Sequence, residues 1–204
     1  MDKKRYQPPK RFHKKGPELA ERENKGFNVS SMEAISILVS IITLALAFTY
    51  FFGISNQGLI IGVITGIIFH ELSHKFVAQS MGFRSEYKLW MIGLVLVVAF
   101  ALLTKGKFIF AAPGFVVTHG MASIRERGVI SFSAPLANIL LALLFSVISA
   151  PWAKPAALVN VFLAGFNLLP IGPLDGSKVA QWNSTVWILS LLFCGILGFI
   201  LLAG

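Results

Sequence analysis

His70, Glu71, Leu72, Ser73 and His74 spell HExxH inside the apolar run Gly58 to Ala78. With about 1.5 Å of rise per residue, His70 and His74 lie one turn apart on one helix face, where both can offer an imidazole nitrogen to one metal ion. Glu71 is displaced by about 100° around the helix, so it misses direct ligation yet can hydrogen-bond a water on the metal. That is the geometry of a zinc hydrolase. In a soluble helix the same pattern is often a solvated face. Here an ionisable side chain near a bilayer centre costs roughly 2.5 to 3.5 kcal/mol, so the cluster needs a compensating partner, and a divalent cation is the obvious one.

Two histidines do not complete a catalytic zinc site, which takes a third protein ligand and an open position. After the N-terminal tail and Glu33, the acidic groups in or beside apolar spans are Glu71 and Asp175, the latter in FNLLPIGPLDGSK. Asp175 is therefore the expected third ligand. Pro170, Gly172, Pro173 and Gly176 make its surroundings a broken helix, which is tolerated at membrane depth where backbone lines a cavity. A lone aspartate at a span end is more often a helix cap; an HExxH upstream reverses that weighting.

HELSH at 70–74, the run Asn167, Pro170, Leu174, Asp175, Gly176 in an NxxPxxxLDG pattern, and SAPLAN at 133–138 together resemble the site-2 protease family of intramembrane zinc metalloproteases. They cover a core of about 58–178 in the family's order. The resemblance implies hydrolysis of peptide bonds in or near transmembrane segments of membrane proteins. It implies one Zn2+ per chain on His70, His74 and Asp175, Glu71 as general base, and Asn167 helping to stabilise the oxyanion. Ala134 stands where the family commonly has Gly before Pro135, and Ser177 where a second Gly is frequent; neither removes a ligand. By the same resemblance the enzyme is prokaryotic, with an archaeal source in view, and sits in the plasma membrane.

The elements that must position these residues follow from composition. The chain has 204 residues, 55% hydrophobic and 13% charged, with a mean hydropathy of +0.74, which places it in a bilayer and leaves no room for a second globular domain. Half of its Lys and Arg fall before Ser30 in a formal net charge of +9. Residues 1–31 therefore read as a basic, disordered cytoplasmic tail attracted to anionic lipid, and not as a nucleic-acid arm. No cleaved signal peptide is expected. Residues 32–204 read as one intramembrane metalloprotease domain.

The expected fold is an all-α, multi-pass membrane protein of about six embedded segments with a small strand-rich insert. Ala34–Gly53, Gly58–Ala78, Phe132–Ala150 and Thr185–Ala203 are long enough to cross. Pro155–Pro173, with Asn160 and Asn167, should face protein. From Lys107 to Ile130, β-branched residues among Gly and Pro predict strands and turns. An exposed sheet edge there would hold an extended substrate. Bringing Asp175 to the depth of His70 and His74 requires the segment from 80 to 131 to start and end on one side. Lys88–Thr104 must then be re-entrant, or return through Phe108–Val117 sheltered by protein. Every Lys and Arg except Lys154 is then inside with the N-terminus.

His119 has no partner at ligand spacing and reads as an exposed loop histidine. Asn138 is expected either to line the site or to bond between spans. Cys194 is a buried thiol, and Trp90, Trp152 and Trp182 are candidate interface anchors. A competing reading is a non-proteolytic protein that keeps the fold and holds client membrane helices; the intact Glu71 argues against it. A metal transporter would show further ligands along a path, and the sequence has almost none.

Overall fold

The computed structural model describes residues 27–52, 57–105 and 107–203. The expected disordered tail lies, up to residue 26, outside the described residues. Ser30 caps the first helix, α1 (Ser31–Phe52): its hydroxyl accepts from Glu33 N at 3.2 Å while its own N–H donates to Glu33 Oε2 at 2.8 Å, a reciprocal capping box. α2 (Gln57–Ser80) carries HExxH. β1 (Arg84–Leu89), α3 (Met91–Leu103) and β2 (Gly114–His119) follow. Then come α4 (Ile124–Ser146), α5 (Ala153–Asn167), the short α6 (Asp175–Trp182) and α7 (Ser184–Ala203).

Among the described residues, α1, α2, α4 and α7 are long and apolar enough to cross a membrane. α3 and α5 have 13 and 15 residues, which is about 20 Å and about 22 Å of helix against a hydrocarbon core of about 30 Å. Of the expected six or so embedded segments, four are thus long enough to cross, and α3 and α5 are apolar helices shorter than the core is thick. The apolar stretch Pro155–Pro173 is cut short because the chain turns at Leu168 and Pro170, before α6 begins.

The expected strand-rich region from Lys107 to Ile130 is also smaller than its composition suggested. Only Gly114–His119 is strand, and residues 124–131 already belong to α4. The cause is local: Ser123 and Glu126 form a second capping box, with Ser123 Oγ accepting from Glu126 N at 3.2 Å and Ser123 N donating to Glu126 Oε2 at 2.9 Å. That start signal overrides the β-branched residues behind it.

β1 and β2 pair antiparallel, with Arg84 opposite His119 and Leu89 opposite Gly114. α3 and the segment returning from it therefore leave and rejoin at the same level. The return is sheltered, as a short non-helical passage must be: Ile109, Ala111 and Ala112 are buried against α1, α2 and α5 residues. Gly114 lies where a Cβ would run into the Tyr87 ring, so only glycine fits. The Tyr87 hydroxyl in turn meets Ser40 Oγ of α1 at 2.7 Å.

α2 is surrounded by α1, α4 and α5. Gly58, Gly62 and Gly66 recur every fourth residue on its α5 side. A Cβ at Gly62 would sit 2.8 Å from Val159 Cβ and 2.9 Å from Ala156 Cα, and one at Gly66 2.5 Å from Leu163 Cδ1. The two backbones approach through bare glycine and alanine, as small-residue helix pairs do in membranes.

Candidate metal centre

α2 presents His70 and His74 on one face, and α6 begins with Asp175 opposite them. His70 Nε2 lies 3.4 Å and His74 Nε2 3.0 Å from Asp175 Oδ2, and one ligand atom from each residue falls within 4.8 Å of the others. All three side chains are buried. Asp175 is not a cap: Leu174 occupies the N-cap position and no side-chain cap bond is made. Gly176 lets α6 close over the end of α5, because a Cβ there would strike the carbonyl of Leu168.

The tautomers of both histidines are fixed from behind. Asn138 Nδ2 donates to Gly66 O at 3.0 Å and to Asn160 Oδ1 at 3.1 Å. Its Oδ1 is consequently an acceptor, so His70 Nδ1, 2.6 Å away, carries the hydrogen. His74 Nδ1 faces the carbonyl of Ile130 at 2.8 Å and must likewise donate. Each Nε2 is left with its lone pair directed at Asp175. Two lone pairs and a carboxylate converging in a buried space repel one another unless a cation stands among them, so the donor set fits a divalent metal. Its N2O composition suits zinc.

Glu71, also buried, has an Oε2 with no hydrogen-bond partner. It lines, with His70, His74, Asp175 and Asn167, a cavity of about 230 Å³. Gly114, Phe115, Val116 and Thr118 of β2 form part of its wall. Asn167, at the end of α5, donates from Nδ2 to Leu163 O at 3.0 Å, which leaves its second amide hydrogen available.

The chain thus brings together His70, Glu71, His74, Asn167 and Asp175. Asn138 sits behind His70 and bonds between helices. His119 is elsewhere, exposed and 3.8 Å from Glu86. Cys194 is a free buried thiol packed with α5 side chains. Trp90 lines the cavity and Trp182 packs on Gly128 of α4, so neither is simply an interface anchor.

Lys75, next to His74, was not singled out by spacing. Its Nζ donates to Glu33 Oε1 at 2.6 Å and to Ser85 O at 2.9 Å, and Glu33 Oε1 also accepts from Tyr87 N at 2.9 Å. This buried pair ties α1, α2 and β1 together directly behind the ligands. A lysine in an apolar helix needs a partner, and that was the available signal.

Comparison with known proteins gives a relative that is 35% identical over 178 residues, covering 79% of this chain and 90% of the relative. It is a protein of the archaeon Methanocaldococcus jannaschii bearing the name "Putative zinc metalloprotease". No family model and no solved structure matches the chain.

Proposed function

The chain belongs to the zinc metalloprotease family of its archaeal relative, and on that premise we propose that it is an intramembrane zinc endopeptidase of the site-2 protease kind. It hydrolyses peptide bonds in or near the transmembrane segment of a membrane-protein substrate. The observation that carries this reading is the convergence of His70 Nε2, His74 Nε2 and Asp175 Oδ2 beside a buried, partnerless Glu71 Oε2, on a helix apolar enough to span.

His70, His74 and Asp175 hold one Zn2+, which when bound supplies Lewis acidity toward a carbonyl and toward water. Glu71 takes a proton from the attacking water at Oε2 and returns it to the departing amine nitrogen. Asn167 offers its free amide hydrogen to the oxygen that gains charge. Asn138 holds the His70 ring in the tautomer that ligates. A helical substrate hides its peptide groups in hydrogen bonds and must unwind to be cut. Among the described residues β2 is bonded to β1 along one edge only, and its other edge would pair with the extended segment beside the cavity. Proline substitutions in β2 that left cleavage unchanged would remove that part of the reading.

The level return of the β1–α3–β2 excursion supports a re-entrant α3, and the distribution of Lys and Arg favours a cytoplasmic N-terminus in a plasma membrane. The test is zinc content per chain in detergent for the wild type, His70→Ala and Asp175→Ala, followed by cleavage of single-span substrates with Glu71→Gln as the inactive control. About one zinc in the wild type, lost in both ligand variants, is expected. Folded protein that takes up no zinc would overturn the hydrolase.

A further inference from the structure

Two cations stand at the mouth of the cavity without a part in hydrolysis. Arg127 and Lys178 both line it. Their placement follows from helix geometry. Arg127 precedes Ile130, whose carbonyl anchors His74, by three residues on α4, and Lys178 follows Asp175 by three residues on α6. α4 and α6 are pressed together there, because a Cβ at Gly128 would collide with Trp182 and the Phe132 and Trp182 rings lie 6.5 Å apart. Lys178 Nζ is 3.8 Å from Asp175 Oδ1 and 3.2 Å from Pro173 O; Arg127 is exposed.

With a divalent ion on neutral histidines, the charges facing the cavity are the ion, Arg127 and Lys178 against Glu71 and Asp175. The mouth is left cationic, at a site walled by low-dielectric helices that strengthen the field. Cytoplasmic flanks of transmembrane segments are ordinarily rich in Lys and Arg, which this mouth repels. From that juxtaposition we infer that Arg127 and Lys178 select substrates carrying an acidic side chain beside the cleaved bond and reject those carrying a basic one there. This rests on the endopeptidase reading for its meaning, and on charge alone for its binding.

The test uses the full-length, zinc-loaded protein in vesicles of zwitterionic lipid, with C-terminally amidated single-span peptides differing in one flanking residue, Glu, Gln or Lys, scanned along the flank. Amidation removes the terminal carboxylate as a rival anion. Binding is measured on Glu71→Gln and cleavage on the wild type. At one or more positions the Glu peptide binds about tenfold tighter than the Lys peptide and is cut in the same proportion, and Arg127→Gln and Lys178→Gln each shrink that ratio by about threefold. Being a ratio within one variant, it is insensitive to the amount of folded protein. Equal binding of the Glu and Lys peptides at every position, or a ratio that both variants leave intact, overturns the inference. A binding ratio that obeys the variants in a protein that cuts none of the peptides keeps the cationic mouth and retires the protease.

Discussion

α2 with α4, α5 and α6, and the excursion β1–α3–β2, are built on opposite principles. In the first, buried polar groups are bonded in a chain from His70 through Asn138 to Asn160 and the α2 backbone, and glycine brings helices to backbone contact. In the second, α3 is apolar throughout, buries only Gly93, Val97 and Ala101, and leaves Leu103 82% exposed. Its order comes from its base, where the strands pair and the Glu33–Lys75 pair holds β1. Rigidity is concentrated where ligand atoms must stay within tenths of an ångström. The wall that β2 adds to the cavity is anchored at one end.

Variants at the metal itself should open the widest gap between these regions. Asp175→Ala should drop zinc from about one per chain toward zero and abolish cleavage. Glu71→Gln should keep the zinc and lower kcat by about 10² to 10⁴-fold, as loss of a general base does. Equal zinc loss in both would mean that Glu71 is a ligand.

The seam between the regions comes next. Lys75→Met strands Glu33 in a buried position and should destabilise the protein by about 3 to 5 kcal/mol, read as a lower unfolding temperature in detergent, with the double variant Glu33→Gln/Lys75→Met recovering much of it. A single variant as stable as the wild type would show that β1 does not depend on the pair. Asn138→Ala, within the rigid region, should weaken zinc affinity by about 10 to 100-fold in competition with a chelator while the fold persists. The smallest effect belongs to the tip of the excursion: Leu103→Ala should shift stability by no more than about 0.5 kcal/mol.

The same contrast explains what could be read without coordinates. Spans at Ala34–Gly53, Gly58–Ala78 and Thr185–Ala203 were legible within a few residues because hydropathy is a one-dimensional quantity. His70, Glu71, His74 and Asp175 stood out because charge is scarce in an apolar chain. The start of α4 lies earlier than composition predicts: GVISF looks like strand, but the Ser123–Glu126 capping box decides the matter. Lys75 and Glu33 lie 42 residues apart and Asn138 and His70 lie 68 apart. Such partners are chosen by packing, which no local window contains. Of the roughly six embedded segments that apolar length predicts, four helices are long enough to cross, while α3 ends at Thr104 and α5 at the turn after Asn167, breaks that a count of apolar length does not show.

His74 and Asp175 are separated by 101 positions. During synthesis the two histidines are inserted long before the aspartate emerges, so the nascent chain has no complete ligand set and cannot become active while it is being threaded into the membrane. Loading must wait until α6 has folded onto α4. A premature stop anywhere before that point therefore leaves an inert fragment in the bilayer and not a weakened hydrolase.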